Sequence, residues 1–233
     1  MLNNYRFVQR NPVFSLLRTG AFVVALLLSS GLACAGNGPA AKDDLGRFMA
    51  KLEDTAAKID SFRAVFIQEK ELSLFAETIV FHGELVVVRP DRLRWEFTDP
   101  VPSILVLNGD KGLRCSDQAA PVNFDLNSDP VMRIVAEQLW LWLGGDYSKL
   151  GEAFFLQKKG ADSLIITPKN PSMAEYIQTV TITFDQTTMQ PARVEILEPG
   201  GDLTRLLFSD YTFNIDFPEQ LFTRCETQPA HDN

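Results

Sequence analysis

Apolar and polar residues alternate along most of this chain with a period of two, the pattern of a β-strand that has one buried face. The clearest case begins at Arg92, where charged and apolar residues take opposite sides: Arg92, Arg94 and Glu96 against Leu93, Trp95 and Phe97. The segment before it, Thr78–Val88, predicts a longer strand with a bend at Gly83. Arg89-Pro90 ends that strand, because proline has no N–H to donate to a sheet ladder.

The same kind of alternation predicts a sheet that runs through most of the chain. Turn signals such as Asn108-Gly109-Asp110 and Pro199-Gly200-Gly201-Asp202 separate short strands at 61–72, 78–88, 92–97, 103–107, 112–116, 153–158, 163–167, 177–185, 192–198 and 203–213. Short strands with such connections predict an antiparallel barrel or sandwich. The stretch 118–130 is rich in turn residues and predicts a loop.

Two segments follow the helical period instead. After a cap at Asp43 or Asp44, apolar residues recur at helical spacing: Leu45, Phe48, Met49, Leu52, Ala56 and Ile59. An insert at about 128–151 contains 131–143, which is largely apolar and lacks strand alternation. Pro130 suits the start of this second helix and Gly144-Gly145 suits its end. The sheet either closes tightly on itself or curls around a lipid pocket with this helix as a lid, and the pattern allows both.

The first 35 residues predict a secretory signal peptide. Arginines at 6, 10 and 18 precede the apolar run 21–28, and Ala33-Cys34-Ala35 offers a small-x-small cleavage site. Cleavage after Ala35 leaves 36–233 as a single exported domain, which we expect to be a monomer. Alternatively, Cys34 is acylated and becomes the mature N-terminus, although lipoprotein signals usually place Leu where this chain has Gly31.

Charge and cysteine content narrow the possible partners. The whole chain has a formal charge of -8, and residues 1–35 carry three Arg and no acid, so the mature chain has a charge of -11. A surface this acidic argues against nucleic acid and anionic headgroups as partners. Two cysteines remain after cleavage, Cys115 and Cys225, and in an oxidising compartment they are either bonded or free.

The residues that carry catalysis are few. The chain has two histidines, His82 in a predicted strand and His231 in the tail. It has no nucleophile elbow, no clustered metal ligands and no phosphate-binding glycine loop. We therefore expect no enzyme activity, no metal and no cofactor.

Arg89 is unusual because a regular strand would put it at the rim of the apolar face that carries Leu85 and Val87. A charge in that position either turns outward to solvent or has to be paired or hydrogen-bonded.

Several motifs between Leu45 and Gly112 resemble, in order and spacing, the LolA family of periplasmic lipoprotein carriers: Phe66-x-Gln68, Gly83-Glu84-Leu85, Arg89-Pro90-x-x-Leu93-x-Trp95, Pro100, Ile104-Leu105-Val106 and Gly109. The resemblance implies an incomplete, open antiparallel β-barrel with an N-terminal helix and a helical lid over an apolar cavity. It also implies a carrier that takes acylated cargo from an inner-membrane exporter to an outer-membrane acceptor.

The resemblance implies roles for particular side chains as well. Arg89 matches the arginine that latches the lid. The cavity wall is expected to include Phe66, Leu85, Val87, Leu93, Trp95 and Phe97. The lid is expected to include Val131, Ile134, Val135, Leu139, Trp140 and Leu143. The resemblance implies that the cargo is a lipoprotein or another acylated lipid such as a glycolipid. The alternative to a free carrier is an acceptor anchored through acylated Cys34.

Overall fold

A computed structural model describes residues 39–226, apart from 75, 76, 144, 146, 148 and 149. These residues fall within one compact unit, Asn37–Asn233. The predicted signal peptide, Cys34, the cleavage site after Ala35 and His231 lie outside the described residues.

Eleven antiparallel strands form one sheet in the order β6-β5-β4-β3-β2-β1-β11-β10-β9-β8-β7. Their bounds are β1 (Ser61–Glu71), β2 (Thr78–Val88), β3 (Arg92–Asp99), β4 (Ser103–Asn108), β5 (Lys111–Ser116), β6 (Ala119–Asp125), β7 (Phe154–Lys159), β8 (Ser163–Pro168), β9 (Thr179–Phe184), β10 (Pro191–Leu197) and β11 (Leu203–Phe213). In this order β6 and β7 have one neighbour each, so the sheet is not closed into a barrel.

Helices connect or flank the strands: α1 (Pro39–Ala56), α2 (Pro130–Leu143), α3 (Leu150–Ala153), α4 (Pro171–Ala174) and a 3₁₀ helix (Glu219–Phe222). The connection between the edge strands β6 and β7 contains α2 and α3. The predicted class, a mainly β protein with an open antiparallel sheet and a few helices, is confirmed.

Two predicted boundaries are wrong. The stretch 118–130 is not all loop, because Ala119–Asp125 forms β6. Most of its side chains are exposed, so this edge strand lacks the apolar alternation that would have indicated it. Helix α1 begins at Pro39, before the cap expected at Asp43 or Asp44.

One face of the sheet, which we call the inner face, packs against α1 and α2. Alternate residues of the strands form one buried cluster with residues from both helices. The strand members include Phe62, Phe66, Leu85, Leu93, Trp95, Leu164, Ile182 and Phe208, and the helix members include Phe48, Leu52, Ala56, Ala136 and Leu143. This cluster is the main hydrophobic core.

The opposite, outer face of β2–β5 is covered by the end of the chain. A second apolar cluster joins Val86, Ile104, Val106 and Leu113 to Leu221 and Phe222 of the 3₁₀ helix. A disulfide between Cys115 and Cys225, with Cα atoms 5.6 Å apart, ties this C-terminal segment to β5.

Arg94 lies beneath the C-terminal segment and is only 2% exposed. Its Nε and Nη2 donate to the Glu96 carboxylate, both at 2.8 Å. Its Nη groups donate to the backbone oxygens of Leu221, Arg224 and Glu226 at 2.9–3.1 Å. A strand with one buried face would leave its charged side in water, but here Arg94 and Glu96 are buried and paired with each other, as a charge removed from water has to be.

Gly83 lies where the bend in β2 was predicted, and the pairing of β2 with β3 shifts register between His82 and Gly83. A Cβ built on Gly83 would lie 2.3 Å from Cζ of Phe66 and 2.2 Å from the carbonyl oxygen of Glu96. The glycine therefore leaves room for the Phe66 ring on the inner face.

Candidate functional site

The centre of the inner face is a group of aromatic rings around Phe66. Its ring centroid lies 5.1 Å from that of Trp95, 5.3 Å from that of Phe97 and 6.3 Å from that of Phe208. All the residues predicted to line a cavity are buried in this cluster, with exposures from 0 to 7%: Phe66, Leu85, Val87, Leu93, Trp95 and Phe97. The structure thus brings the predicted set together on β1–β3.

Helix α2, which the resemblance identifies as a lid, covers the inner face with one side only. Val135 and Leu143 are buried, and Leu139 and Trp140 pack half-buried against the core cluster. Val131 and Ile134 are 54% and 58% exposed and lie on the solvent side of the helix. The predicted lid residues therefore divide between the two sides of α2.

Arg89 lies beside the end of α1 and the segment that follows α2. Its Nη1 donates to the carbonyl oxygen of Ile59 at 2.6 Å and to that of Ala56. Ala56 is the last residue of α1, where helical backbone acceptors lack intrahelical partners and a cation is favourable, and Ile59 lies three residues beyond that end. A Cβ built on Gly145, which has φ +82°, would lie 2.3 Å from Nη2 of Arg89. The guanidinium therefore lies between the end of α1 and the segment that follows α2.

The charge of Arg89 is partly removed from water. Burial lowers the pKa of Arg89, while Tyr147 and Asp60 oppose that shift. Burial also raises the pKa of the Tyr147 hydroxyl, an effect that the positive charge of Arg89 reduces. Tyr147 is 3% exposed and its ring packs edge-on against Phe184, with centroids 5.8 Å apart. Arg89 is thus half-buried among the core residues and does not extend freely into solvent.

Polar groups also occur on the inner face, and sequence reasoning missed them. Trp95 Nε1, Arg114 Nε and Ser116 Oγ are buried and have no hydrogen-bond partner. Gln68 and Lys70 are 3% and 5% exposed towards the end of β1. The pattern of β5 indicated only the return arm of a hairpin, since a six-residue strand bounded by turns does not reveal which of its faces is inner.

The model of the family described as "Outer membrane lipoprotein carrier protein LolA" matches residues 57–225. The chain belongs to the LolA family. It is 23% identical over 176 residues to an outer-membrane lipoprotein carrier protein of Pseudoalteromonas translucida (strain TAC 125), a match that covers 73% of this chain and 79% of that relative.

Among solved structures, this LolA-family chain is similar to a LolA superfamily protein from Nitrosomonas europaea, with 13% identity, a TM-score of 0.40 and coverage of 76% and 97% of the two chains. It is also similar to a structure in the MucA/MucB complex of Pseudomonas aeruginosa, with 19% identity, a TM-score of 0.43 and coverage of 76% and 60%.

The other ionisable candidate lies away from the inner face of this LolA-family sheet. His82 is on the outer side of β2, where its Nδ1 is 3.8 Å from the Asp99 carboxylate and both side chains are more than half exposed. Within the described part of the chain, no group of three or more His, Cys, Asp or Glu side chains is placed to hold a metal ion. Among the described helices, none has the length and apolarity needed to cross a membrane.

Proposed function

We propose that this protein is a periplasmic carrier that binds the acyl chains of a lipoprotein, or of another acylated lipid, at its inner face and moves them from the inner to the outer membrane. The observation that carries the proposal is the continuous buried apolar surface of β1–β3, packed against two helices, in a chain of the LolA family. We infer an inner-membrane exporter as the source of the cargo and an outer-membrane acceptor as its destination.

The energetics of acyl chains favour such a carrier. Each buried methylene contributes about 0.8 kcal/mol, so a long acyl chain gains roughly 10 kcal/mol on leaving water. A chain of that kind does not cross an aqueous compartment unaided. The carrier has to offer comparable apolar surface and later release the chain. The free energy of its closed, cargo-free state therefore has to be close to that of the loaded state.

We assign to Arg89 the role of stabilising the closed, cargo-free state. Its contacts with Ala56, Ile59 and Gly145 hold the end of α1 and the segment after α2 beside each other in the cargo-free protein. Entry of an acyl chain between the helices and the inner face would part these contacts. Their re-formation would then help to expel the chain at the acceptor. In this role Arg89 is a latch on the lid.

Mass spectrometry of material that co-purifies with the protein from its native periplasm is the direct test. We expect an acylated species in near-stoichiometric amount with the full protein. A variant with Phe66→Asp on the inner face should lose it, whereas Phe155→Asp, at a side chain that is 64% exposed on β7, should retain it. Recovery of equal amounts from both variants would refute binding at the inner face.

Two alternatives use the same fold. An outer-membrane acceptor anchored through Cys34 would carry acyl chains in its own N-terminal mass, whereas a cleaved carrier would begin after Ala35. A glycolipid carrier would co-purify with a sugar-bearing lipid. That result would revise the identity of the cargo but not the proposed mechanism.

We infer no catalytic step. A lipid-ester hydrolase with a histidine base would need His82 or His231, and of these His82 is exposed on the outer face beside Asp99. Incubation with a chromogenic acyl ester should give no turnover above background. Turnover that disappeared in His82→Ala would overturn this inference.

A further inference from the structure

Four buried side-chain donors in the described part of the chain have no hydrogen-bond partner: Arg89 Nε, Trp95 Nε1, Arg114 Nε and Ser116 Oγ. The Arg89 guanidinium already bonds two backbone carbonyls through Nη1, whereas the other three donors lie on β3 and β5, which are separated by β4. Burying a polar group without a partner is unfavourable, and such groups in a folded protein require an explanation.

The register of the strands places these groups on one face. Trp95 pairs with Leu105, and Leu105 pairs with Arg114. Arg114 and Ser116 are two residues apart on one strand, so their side chains leave the same side. Strands lie about 4.8 Å apart, so the backbones at Trp95 and Arg114 are separated by roughly 10 Å. One ligand head of moderate size spans that distance.

Arg114 is half-buried and differs from Arg94, the fully buried arginine of the sheet. Arg94 is saturated by Glu96 and three backbone carbonyls. Within the described part of the chain, the guanidinium of Arg114 makes neither an ion pair nor a hydrogen bond. Its Cζ lies 5.9 Å from the centre of the Phe124 ring, and that ring in turn lies over Gly112. The stacking holds the guanidinium in place without satisfying its N–H groups.

We propose that Arg114, Ser116 and Trp95 form a binding site for the phosphate-bearing head of an acylated lipid. The inference rests on the proposed carrier function and specifies its cargo. The acidic surface as a whole disfavours adsorption to anionic membranes, whereas this site depends on one guanidinium on the inner face. A guanidinium is a fork of donors that matches phosphate oxygens, and the Ser116 hydroxyl and the Trp95 indole add further donors. The apolar side chains of β1–β3 would take the acyl chains, while β5, which neighbours the exposed edge strand β6, takes the head.

The test compares two lipids that have identical dioleoyl chains, phosphatidic acid and diacylglycerol. Each displaces a fluorescent fatty acid from the full protein, and inorganic phosphate and glycerol 3-phosphate are run as competitors without acyl chains. We expect phosphatidic acid to bind about tenfold more tightly than diacylglycerol, the factor that a charge-assisted hydrogen bond gives. The free phosphates should displace neither lipid at millimolar concentration.

Substitutions test whether Arg114 and Ser116 cause the preference for phosphatidic acid over diacylglycerol. Arg114→Gln should reduce the ratio of the two affinities to about one and leave diacylglycerol binding unchanged. Arg114→Lys and Ser116→Ala should give intermediate ratios. Arg193→Gln removes a charge from a side chain of β10 that is 44% exposed, and it should keep the wild-type ratio.

The possible failures are distinct. Equal affinity of the wild type for both lipids, an unchanged ratio in Arg114→Gln and Ser116→Ala, or displacement by free phosphate would overturn the head-group site and leave the carrier function standing. Failure of the wild type to bind either lipid would overturn the carrier function, and the site with it.

Discussion

The most constrained single residue of the inner face is Gly83. The ring of Phe66 occupies the space where a side chain at this position would start, and the Glu96 carbonyl closes the other approach. Glycine costs conformational entropy in a strand, so its presence in the middle of β2 is explained by this close approach. The position of Phe66, and through it that of Trp95 and Phe97, depends on an absent Cβ.

Gly83→Ala should therefore lower the free energy of unfolding by about 1–3 kcal/mol, the usual cost of overpacking a core. Urea unfolding followed by tryptophan fluorescence measures it. Gly46→Ala is the matched control, because a Cβ there meets nothing within 4 Å and the position lies inside α1. The control should be more stable by about 0.5–1 kcal/mol. Equal effects of the two changes would show that the Phe66 ring moves aside without cost.

Arg89 is the residue whose contacts best fit a switch, since it touches the end of α1 and the segment after α2. Arg89→Leu should keep the fold but retain cargo. Charge-assisted hydrogen bonds contribute about 1.5–3 kcal/mol to the closed state, so their loss should slow handover tenfold or more.

The measurement is the rate at which a loaded carrier passes a fluorescent acylated peptide to acceptor vesicles. Arg193→Leu, on the outer face, should transfer at the wild-type rate. Normal handover by Arg89→Leu, with unaltered circular dichroism, would leave Arg89 as a stabilising contact of α1 without a part in release.

At the scale of elements, the C-terminal segment is the least expected part of the fold. It covers the outer face of β2–β5, buries Arg94 with Glu96 and is bonded through Cys225 to Cys115. Removing its backbone carbonyls would leave Arg94 with Glu96 as its single described partner. The Cys115–Cys225 disulfide and the hydrogen bonds of Arg94 therefore hold the same segment in place.

Replacing both cysteines, Cys115→Ser with Cys225→Ser, should lower the free energy of unfolding by about 2–5 kcal/mol, because the bond closes a loop with a sequence separation of 110. Urea unfolding with and without reductant measures the effect. Reductant should bring the wild type to the value of the double variant and leave the double variant unchanged. A wild type whose midpoint did not respond to complete reduction would contradict this role of the bond.

The described part of the chain is an open sheet whose central strands are β1 and β11, with the helical connection between its two edges packed back on the inner face. The central strands are paired on both sides, whereas α2 is held by side-chain packing along one side. Elements with fewer buried contacts open at lower free energy. The arrangement allows the helix to move while the sheet keeps its register.

Cargo loading should accordingly accelerate amide hydrogen exchange in α2 and in the residues after it, while β1, β2 and β11 keep their protection. Exchange read by mass spectrometry on the protein with and without bound dioleoyl phosphatidic acid provides the comparison. Uniform slowing across α2 and the sheet would indicate a ligand that binds without displacing the helix.

The alternation along the chain was enough to predict most of the fold. The strand Thr78–Val88 was located to the residue, with Arg89-Pro90 marking its end. Helix α2 was located to within one residue at its start, because Pro130 and Gly144-Gly145 bound a largely apolar run. The edge strand β6 was not predicted, because a strand with exposed residues on both faces has no alternation of apolar and polar residues. The inner-face set around Phe66 was predictable since its members share parity on adjacent strands.

By itself, then, the sequence determined which residues share a face, where the chain turns, and that an arginine stands at the rim of an apolar surface. Only the tertiary structure decided what covers each face. A period of two separates two sides of a strand but does not say which side meets water. Arg94 is buried by residues more than a hundred positions later, and Arg89 binds carbonyls at and just beyond the end of a helix, about thirty positions earlier. Such contacts depend on how separate segments pack in space, and local periodicity carries no information about that packing.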